Sequence, residues 1–317
     1  MTDTQNEVFK TPVNKIRLFE HGAPGSQNLK LTRKYYTEDM PDGRVKHIVQ
    51  NITDPDMVPY IPDGIGNSTD RQRIPAVLII PGGAFRRLVY NFEGEDVAKW
   101  LNSMGIAAFV LECRLPSDEH DNAEDVPLID AMRAMRVIRG RAQEFGIDEA
   151  KIGVMGFSAG GFMAALLSTA YESDVYADYK YKDEYDKLSA RPDFAVCSYP
   201  VISIDDCIEA GKRYMSEEQV LERISDSKAK ILHKYNPDKL VRPDMPPVFI
   251  CETDDDRTTL SENSVGFYMA ARKAGVSAEL HIFRTGGHGY GCGDDFAQTG
   301  EWKVLFTKWI KSIGIIS

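Results

Sequence analysis

The chain has 317 residues, 43% of them hydrophobic and 27% charged, with a formal net charge of −10 at pH 7. A chain of this length and composition can bury about three quarters of its unfolded surface in one core, so it needs no disulfide or metal staple. The negative balance argues against a nucleic-acid partner, and no apolar stretch approaches the ~20 residues a membrane-spanning helix requires.

The first ten residues are polar and mixed in charge, without the basic start and apolar core of a secretory signal. Five cysteines stand at 113, 197, 207, 251 and 292, an odd and scattered set with no CxxC pair. Cys113, Cys197 and Cys251 end apolar runs, where a free thiol acts as a small core hydrophobe, and all five read as structural in a reducing, cytoplasmic compartment; a leader already removed would make the protein secreted. Residues 1–74 are polar and rich in Pro, Gly, Asp and Asn, and predict N-terminal edge strands and loops closing in turn chemistry over 62–68.

From Pro75 the pattern changes. Residues 76–80 are a short apolar run, as expected of a strand covered on both faces, and they end in Pro81-Gly82-Gly83. Val97, Trp100 and Leu101 follow at helical spacing, and 106–111 is the next buried strand. An apolar stripe of Leu128, Met132, Met135, Val137 and Ile138 predicts a helix over 126–145, stopped by Gly146. Strands are predicted over 152–155, 194–199, 248–251 and 278–283. Helices are predicted over 160–171, 261–274 and a C-terminal segment carrying Trp302, Leu305, Phe306 and Trp309. Strand–helix alternation of this kind specifies a mostly parallel sheet flanked by helices, a three-layer α/β/α sandwich spanning 1–317 as one domain. Two polar stretches, 172–190 and 208–242, interrupt the rhythm and read as cap or pocket-rim insertions; a solvated surface is the plain alternative for the first.

The chemistry concentrates in four places. Gly156-Phe157-Ser158-Ala159-Gly160-Gly161 lies directly between a predicted strand and a predicted helix. A strand-to-helix turn there presents the Ser158 hydroxyl at a helix N-terminus, whose dipole favours developing negative charge, while the flanking glycines remove side chains that would collide. G-x-S-x-G alone arises by chance in roughly one chain in ten of this length, so its placement carries the argument. Pro81-Gly82-Gly83-Ala84-Phe85, after the first buried strand, suits an oxyanion loop, with donors from Gly83 or Ala84 and from Ala159 after the nucleophile. Of six histidines, His288 alone is set in a glycine loop past a strand, Gly286-Gly287-His288-Gly289-Tyr290-Gly291. The acid falls in Glu252-Thr253-Asp254-Asp255-Asp256, where spacing does not choose among the carboxylates; Asp205 or Asp206 is the runner-up. The order Ser…Asp…His is that of α/β-hydrolases. Phe85, Arg86, Tyr199 and Tyr290, within or beside these loops, are candidate substrate contacts.

With these motifs and the stretches 93–102, 188–194 and 279–283, the chain resembles the acetylxylan-esterase-like carbohydrate esterases of the α/β-hydrolase superfamily over roughly residues 55–310. The resemblance implies Ser158, Asp255 and His288 as a triad, no metal or organic cofactor, and cleavage of O-acetyl esters on xylan or xylo-oligosaccharides. General short-chain carboxylesterase, lipase or feruloyl esterase activity is the alternative within the fold, and a catalytically inert binding module is the alternative outside catalysis. The chain departs from the pattern in carrying Ala84 where a third glycine is common, and Arg257-Thr258-Thr259 after the aspartates where Val-Pro is common. The expected partner is a small-molecule or oligosaccharide ester, with neither nucleic acid nor membrane; the oligomeric state is open.

Overall fold

The structure, a computed structural model, describes residues 9, 13–64, 73–213, 215–216, 218–220, 230–293 and 297–317. Most of the N-terminal ten residues, the end of the 62–68 turn segment and part of the 208–242 insertion therefore lie outside the described residues.

An eight-stranded sheet organises the molecule. Its members are β1 (Ile16–Arg17), β4 (Asp56–Tyr60), β5 (Ile74–Ile80), β7 (Ala107–Glu112), β8 (Ile147–Phe157), β9 (Ala195–Ser198), β10 (Val248–Thr253) and β11 (Ala278–Phe283). They run in the order β1-β4-β7-β5-β8-β9-β10-β11. The first two pairings are antiparallel and the remainder parallel. β7, β9 and β10 are buried along their whole length, which is why their sequences are continuous apolar runs rather than alternating ones.

Helices α1 (Asp96–Ser103), α2 (Val126–Gly140), α3 (Ala142–Phe145), α4 (Ala159–Ala170), α5 (Ile204–Lys212), α6 (Lys230–Lys234), α7 (Ser261–Lys273) and α8 (Ala297–Ser312) accompany the sheet. α4 carries Phe162, Met163, Leu166 and Leu167 into the core, and α8 contributes Trp302, Phe306 and Trp309, so one contiguous cluster joins both faces. Among the described residues no helix is long and apolar enough to cross a membrane.

The second helix and the N-terminal region differ from the sequence expectation. The helix expected over 126–145 breaks at Arg141, whose φ of −102° and ψ of 14° end α2 before the short α3. The N-terminal region holds more than edge strands: β2 (Lys34–Asp39) and β3 (Val45–Gln50) form a hairpin that pairs with β6 (Leu88–Val89) in a separate three-stranded sheet. This small sheet abuts the turn after β5, because β6 follows the Pro81-Gly82-Gly83 loop directly.

The 172–190 segment keeps about half of its residues exposed. It docks on α2. Arg133 pairs with Asp183 and Asp186, Arg136 reaches the Tyr176 hydroxyl, and Arg133 lies over the Tyr185 ring. Cys113, Cys197, Cys251 and Cys292 are free and buried.

Candidate active site

Strand β8 ends at Phe157 and α4 begins at Ala159, so one residue, Ser158, makes the whole turn. Its φ of 53° and ψ of −118° are unfavourable for any residue with a Cβ, a strain of order 1–3 kcal/mol that the surroundings must impose. They do so through backbone bonds: Ser158 N donates to Ser198 O at 3.0 Å, and Ser158 O accepts from Phe162 N at 3.0 Å. The neighbouring glycines are sterically required. A Cβ on Gly156 would lie 1.9 Å from Gly160 O, and one on Gly160 would lie 2.0 Å from Ile80 O. Both obstacles are main chain and cannot rotate away. Gly160→Ala is therefore expected to lower stability by about 3 kcal/mol or more. A urea midpoint unchanged from wild type would contradict this close approach of α4 to β5.

β11 and β10 bring the other two groups to the same edge of the sheet. The loop after β11 carries His288, whose Nε2 lies 2.9 Å from Ser158 Oγ and whose Nδ1 lies 2.6 Å from Asp256 Oδ2. The acid facing the histidine is thus Asp256, which corrects the expectation of Asp255. The turn after β10 rotates successive side chains, and only the third aspartate points inward: Asp256 is 3% exposed, while Asp254 and Asp255 are exposed. Asp255 has a different task, its Oδ1 accepting N–H from Gly286 at 2.9 Å and Gly287 at 2.8 Å at the base of the histidine loop. The runner-up Asp205 is 76% exposed beside Lys239, and Asp206 stands with it on α5, away from His288.

Asp256 is braced by Thr258 N, Thr259 N and Thr259 Oγ1, which donate at 2.7, 3.0 and 2.9 Å. Burial alone would raise its carboxyl; the contact with His288 and these backbone donors more than offset that and hold it below the ordinary aspartate range. An ionised Asp256 can only accept, so it keeps the proton on Nδ1 and leaves Nε2 free to accept from the serine hydroxyl.

On the other side of Ser158, Ala159 is the first residue of α4, so its N–H has no partner within the helix. Gly83 (φ 140°), Ala84 (φ 56°) and Phe85 (φ 59°) form the tight turn beyond β5, held by Arg86 N and Arg87 N donating to Gly83 O. Ala84 in this left-handed conformation occupies the place where a third glycine was expected. The loop therefore adopts the glycine geometry at some strain. Among the described residues no group of three or more His, Cys, Asp or Glu side chains is placed to hold a metal ion.

The family model described as BD-FAE matches residues 65–270. The chain belongs to the BD-FAE family. The acetylxylan esterase of Xylanibacter ruminicola is 31% identical over 240 residues, covering 75% of this chain but 45% of that protein. The chain thus spans less than half the length of that curated relative. The crystal structure of an acetyl ester-xyloside bifunctional hydrolase from Caldicellulosiruptor lactoaceticus is 38% identical, with a TM-score of 0.69 over 84% of this chain and 91% of that one. A carboxylesterase from Lactobacillus plantarum, 20% identical with a TM-score of 0.67, covers 90% of this chain and 99% of that one and shares the fold. The fold is accordingly the α/β-hydrolase fold.

Within this BD-FAE chain the expected substrate contacts divide. Arg86 is exposed on the loop after β5. Phe85 is 7% exposed and packs edge-on against Phe162, with ring centroids 5.5 Å apart. Tyr199 and Tyr290 are corrections: both are buried, and neither offers its ring to solvent. Tyr199, at φ 37°, lies edge-on to the His288 ring at 5.1 Å, with its hydroxyl bonded inside the protein; Tyr290 packs on Tyr199, its hydroxyl buried beside Cys251. The acid that receives the Tyr199 hydroxyl is Glu93, which the sequence reading did not single out as functional. The available signal was its place at the head of the 93–102 stretch that carries the resemblance, just before an amphipathic helix.

Proposed function

We propose that the chain is a serine carboxylesterase that removes acetyl and other short acyl groups from hydroxyls of xylo-oligosaccharides or xylan. One observation carries this reading: the hydroxyl of Ser158, a residue held in a strained backbone turn, lies within 2.9 Å of an imidazole whose far nitrogen is held at 2.6 Å by a buried carboxylate. In the proposed reaction His288 Nε2 takes the Ser158 proton as Oγ attacks the ester carbonyl. The oxyanion is received by N–H groups of Ala159 and of Gly83 or Ala84; losing one such donor typically costs about 3 kcal/mol of transition-state stabilisation. His288 returns the proton to the departing sugar alcohol. Water, deprotonated by the same nitrogen, then releases the carboxylate and restores the serine.

The preference for a short acyl group is supported by the acetyl-directed relatives. The sugar alcohol is supported by the xylan- and xyloside-directed relatives. The free, buried thiols favour a reducing compartment. Comparing p-nitrophenyl acetate with the octanoate, and acetylated xylo-oligosaccharides with methyl ferulate, tests both halves. Acetate should exceed octanoate by at least about 10-fold in kcat/KM, since in a site sized for acetyl each surplus methylene costs about 1–3 kcal/mol. Acetate should also be freed from the oligosaccharides. Octanoate turned over faster would refute the short-acyl assignment, and ferulate turned over while the acetylated sugars are untouched would refute the sugar assignment.

A further inference from the structure

We propose that Glu93 is a positioning residue, which ties the oxyanion loop to the histidine loop and places a second negative charge behind the imidazole. The inference rests on the esterase reading above and adds a residue that the triad itself does not require.

Glu93 sits in a single π-helical turn, Asn91–Glu95, ahead of α1, and is 5% exposed. Such turns interrupt a helix at a cost and are frequent at functional sites. Its two carboxylate oxygens serve different loops. Oε2 accepts the Gly82 N–H at 2.8 Å, and Oε1 accepts the Tyr199 hydroxyl at 2.9 Å. The Tyr199 hydroxyl oxygen in turn accepts the Gly291 N–H at 3.1 Å, and the Tyr199 carbonyl lies 3.3 Å from Thr259 Oγ1, whose proton goes to Asp256. One chain of hydrogen bonds therefore runs from the residue before Gly83, through Glu93 and Tyr199, to the loop three residues past His288.

The chemistry of the neighbours selects a carboxylate. Both groups that face Glu93 donate, so an ionised acid satisfies them and a glutamine would turn an N–H toward one donor. Burying a charge at this depth costs several kcal/mol unless its bonds and an opposite charge offset it. Burial pushes the Glu93 carboxyl up; a protonated His288, the Tyr199 and Gly82 bonds and the more distant Lys46 offset only part of that, and the net direction is upward. The titratable groups around the imidazole are Asp256 at Nδ1 with Glu252 behind it, Tyr199 across the ring with Tyr290 and Cys251 beneath, and Glu93. Of these, Glu93 is the one acid that touches both the oxyanion loop and the ring's packing partner. The coupling is tight at Gly82, where an added Cβ would lie 2.5 Å from Phe157 O and 2.9 Å from Ser158 Cβ. A loosened Gly82 would shift the N–H donors relative to Oγ.

The test uses p-nitrophenyl acetate with the full chain and the variants Glu93→Gln, Glu93→Asp and Tyr199→Phe. Glu93→Gln should lower kcat roughly 10- to 100-fold, the range seen when a group that orients active-site ligands is removed, with KM little changed. Removing a negative charge near the imidazolium destabilises the protonated form, so the acid limb of kcat/KM against pH should move to lower pH. Glu93→Asp and Tyr199→Phe both keep the charge, so they should lower kcat while leaving that limb in place. A Glu93→Gln profile superimposable on wild type would overturn the proposal. If Glu93→Gln does not fold, the same judgement falls to Tyr199→Phe, whose unchanged kcat would overturn it. A wild-type chain that hydrolyses no ester would instead refute the esterase reading.

Discussion

A chain carrying Ser158→Ala is expected to lose on the order of 10⁴- to 10⁶-fold of its kcat for p-nitrophenyl acetate, the range for removal of a triad nucleophile. The loss should come without unfolding. Ser158 is held by main-chain bonds to Ser198 and Phe162 that alanine also makes, and its hydroxyl faces His288 Nε2, on a side chain that is 22% exposed. After the substitution water can reach the imidazole, so no buried polar group is stranded. The thermal midpoint should therefore stay within a few degrees of wild type. Ser158→Gly supplies a control from the same position. A φ of 53° with ψ of −118° is open to glycine and strained for alanine, so the glycine variant should be the more stable of the two by about 1 kcal/mol, and equally inactive. Labelling by a fluorophosphonate should disappear in both. Turnover retained by either variant would remove Ser158 from the chemistry and would revive the inert binding module as the better reading of the fold.

What the sequence disclosed and what it hid follow one physical division. Strands covered on both faces must be apolar throughout, so β5, β7 and β10 stood out as uninterrupted runs, and the turn between β8 and α4 was marked by glycines that no other residue could replace. The β2–β3 hairpin was hidden because its residues are only half buried: Lys34–Asp39 reads KYYTED and gives no clean alternation. Its order comes from pairing with β3, and β3 in turn pairs with β6, a strand of two residues. The start of β8 at Ile147 was missed for a similar reason, since IDEA is polar and its first residue is drawn into the sheet by pairing with Ile74. Tyr199 and Glu93 are 106 residues apart, and no periodicity within either segment reports a contact at that separation. The two tyrosines expected at the substrate surface lie inside for the complementary reason. Aromatic character suits a sugar platform and a core equally well, and only the direction of the chain after β9 and after His288 distinguishes the two.

The aspartates after β10 show the same limit at its smallest scale, and they allow a sharp experiment. Asp256→Asn is expected to lower kcat by about 10⁴-fold, whereas Asp255→Asn should stay within about 3-fold of wild type. Asp256 accepts from Thr258 N, Thr259 N and Thr259 Oγ1 as well as facing His288 Nδ1. An asparagine there must keep its one carbonyl oxygen toward the two backbone donors, since its NH₂ cannot accept from them. The NH₂ then points at Nδ1, which can receive it only by giving up its own proton. The proton moves to Nε2, the wrong nitrogen to take a hydrogen from Ser158. Asp255 makes both of its described bonds through one oxygen, Oδ1, with Gly286 N and Gly287 N, and an asparagine carbonyl can accept both. Asp255→Ala frees those two N–H groups and should loosen the histidine loop, costing activity several-fold without approaching the loss at 256. The reverse ranking, with Asp255→Asn the inactive variant, would return the acid's role to the residue that the resemblance first indicated. It would also mean that the turn after β10 rotates by one residue when the enzyme works.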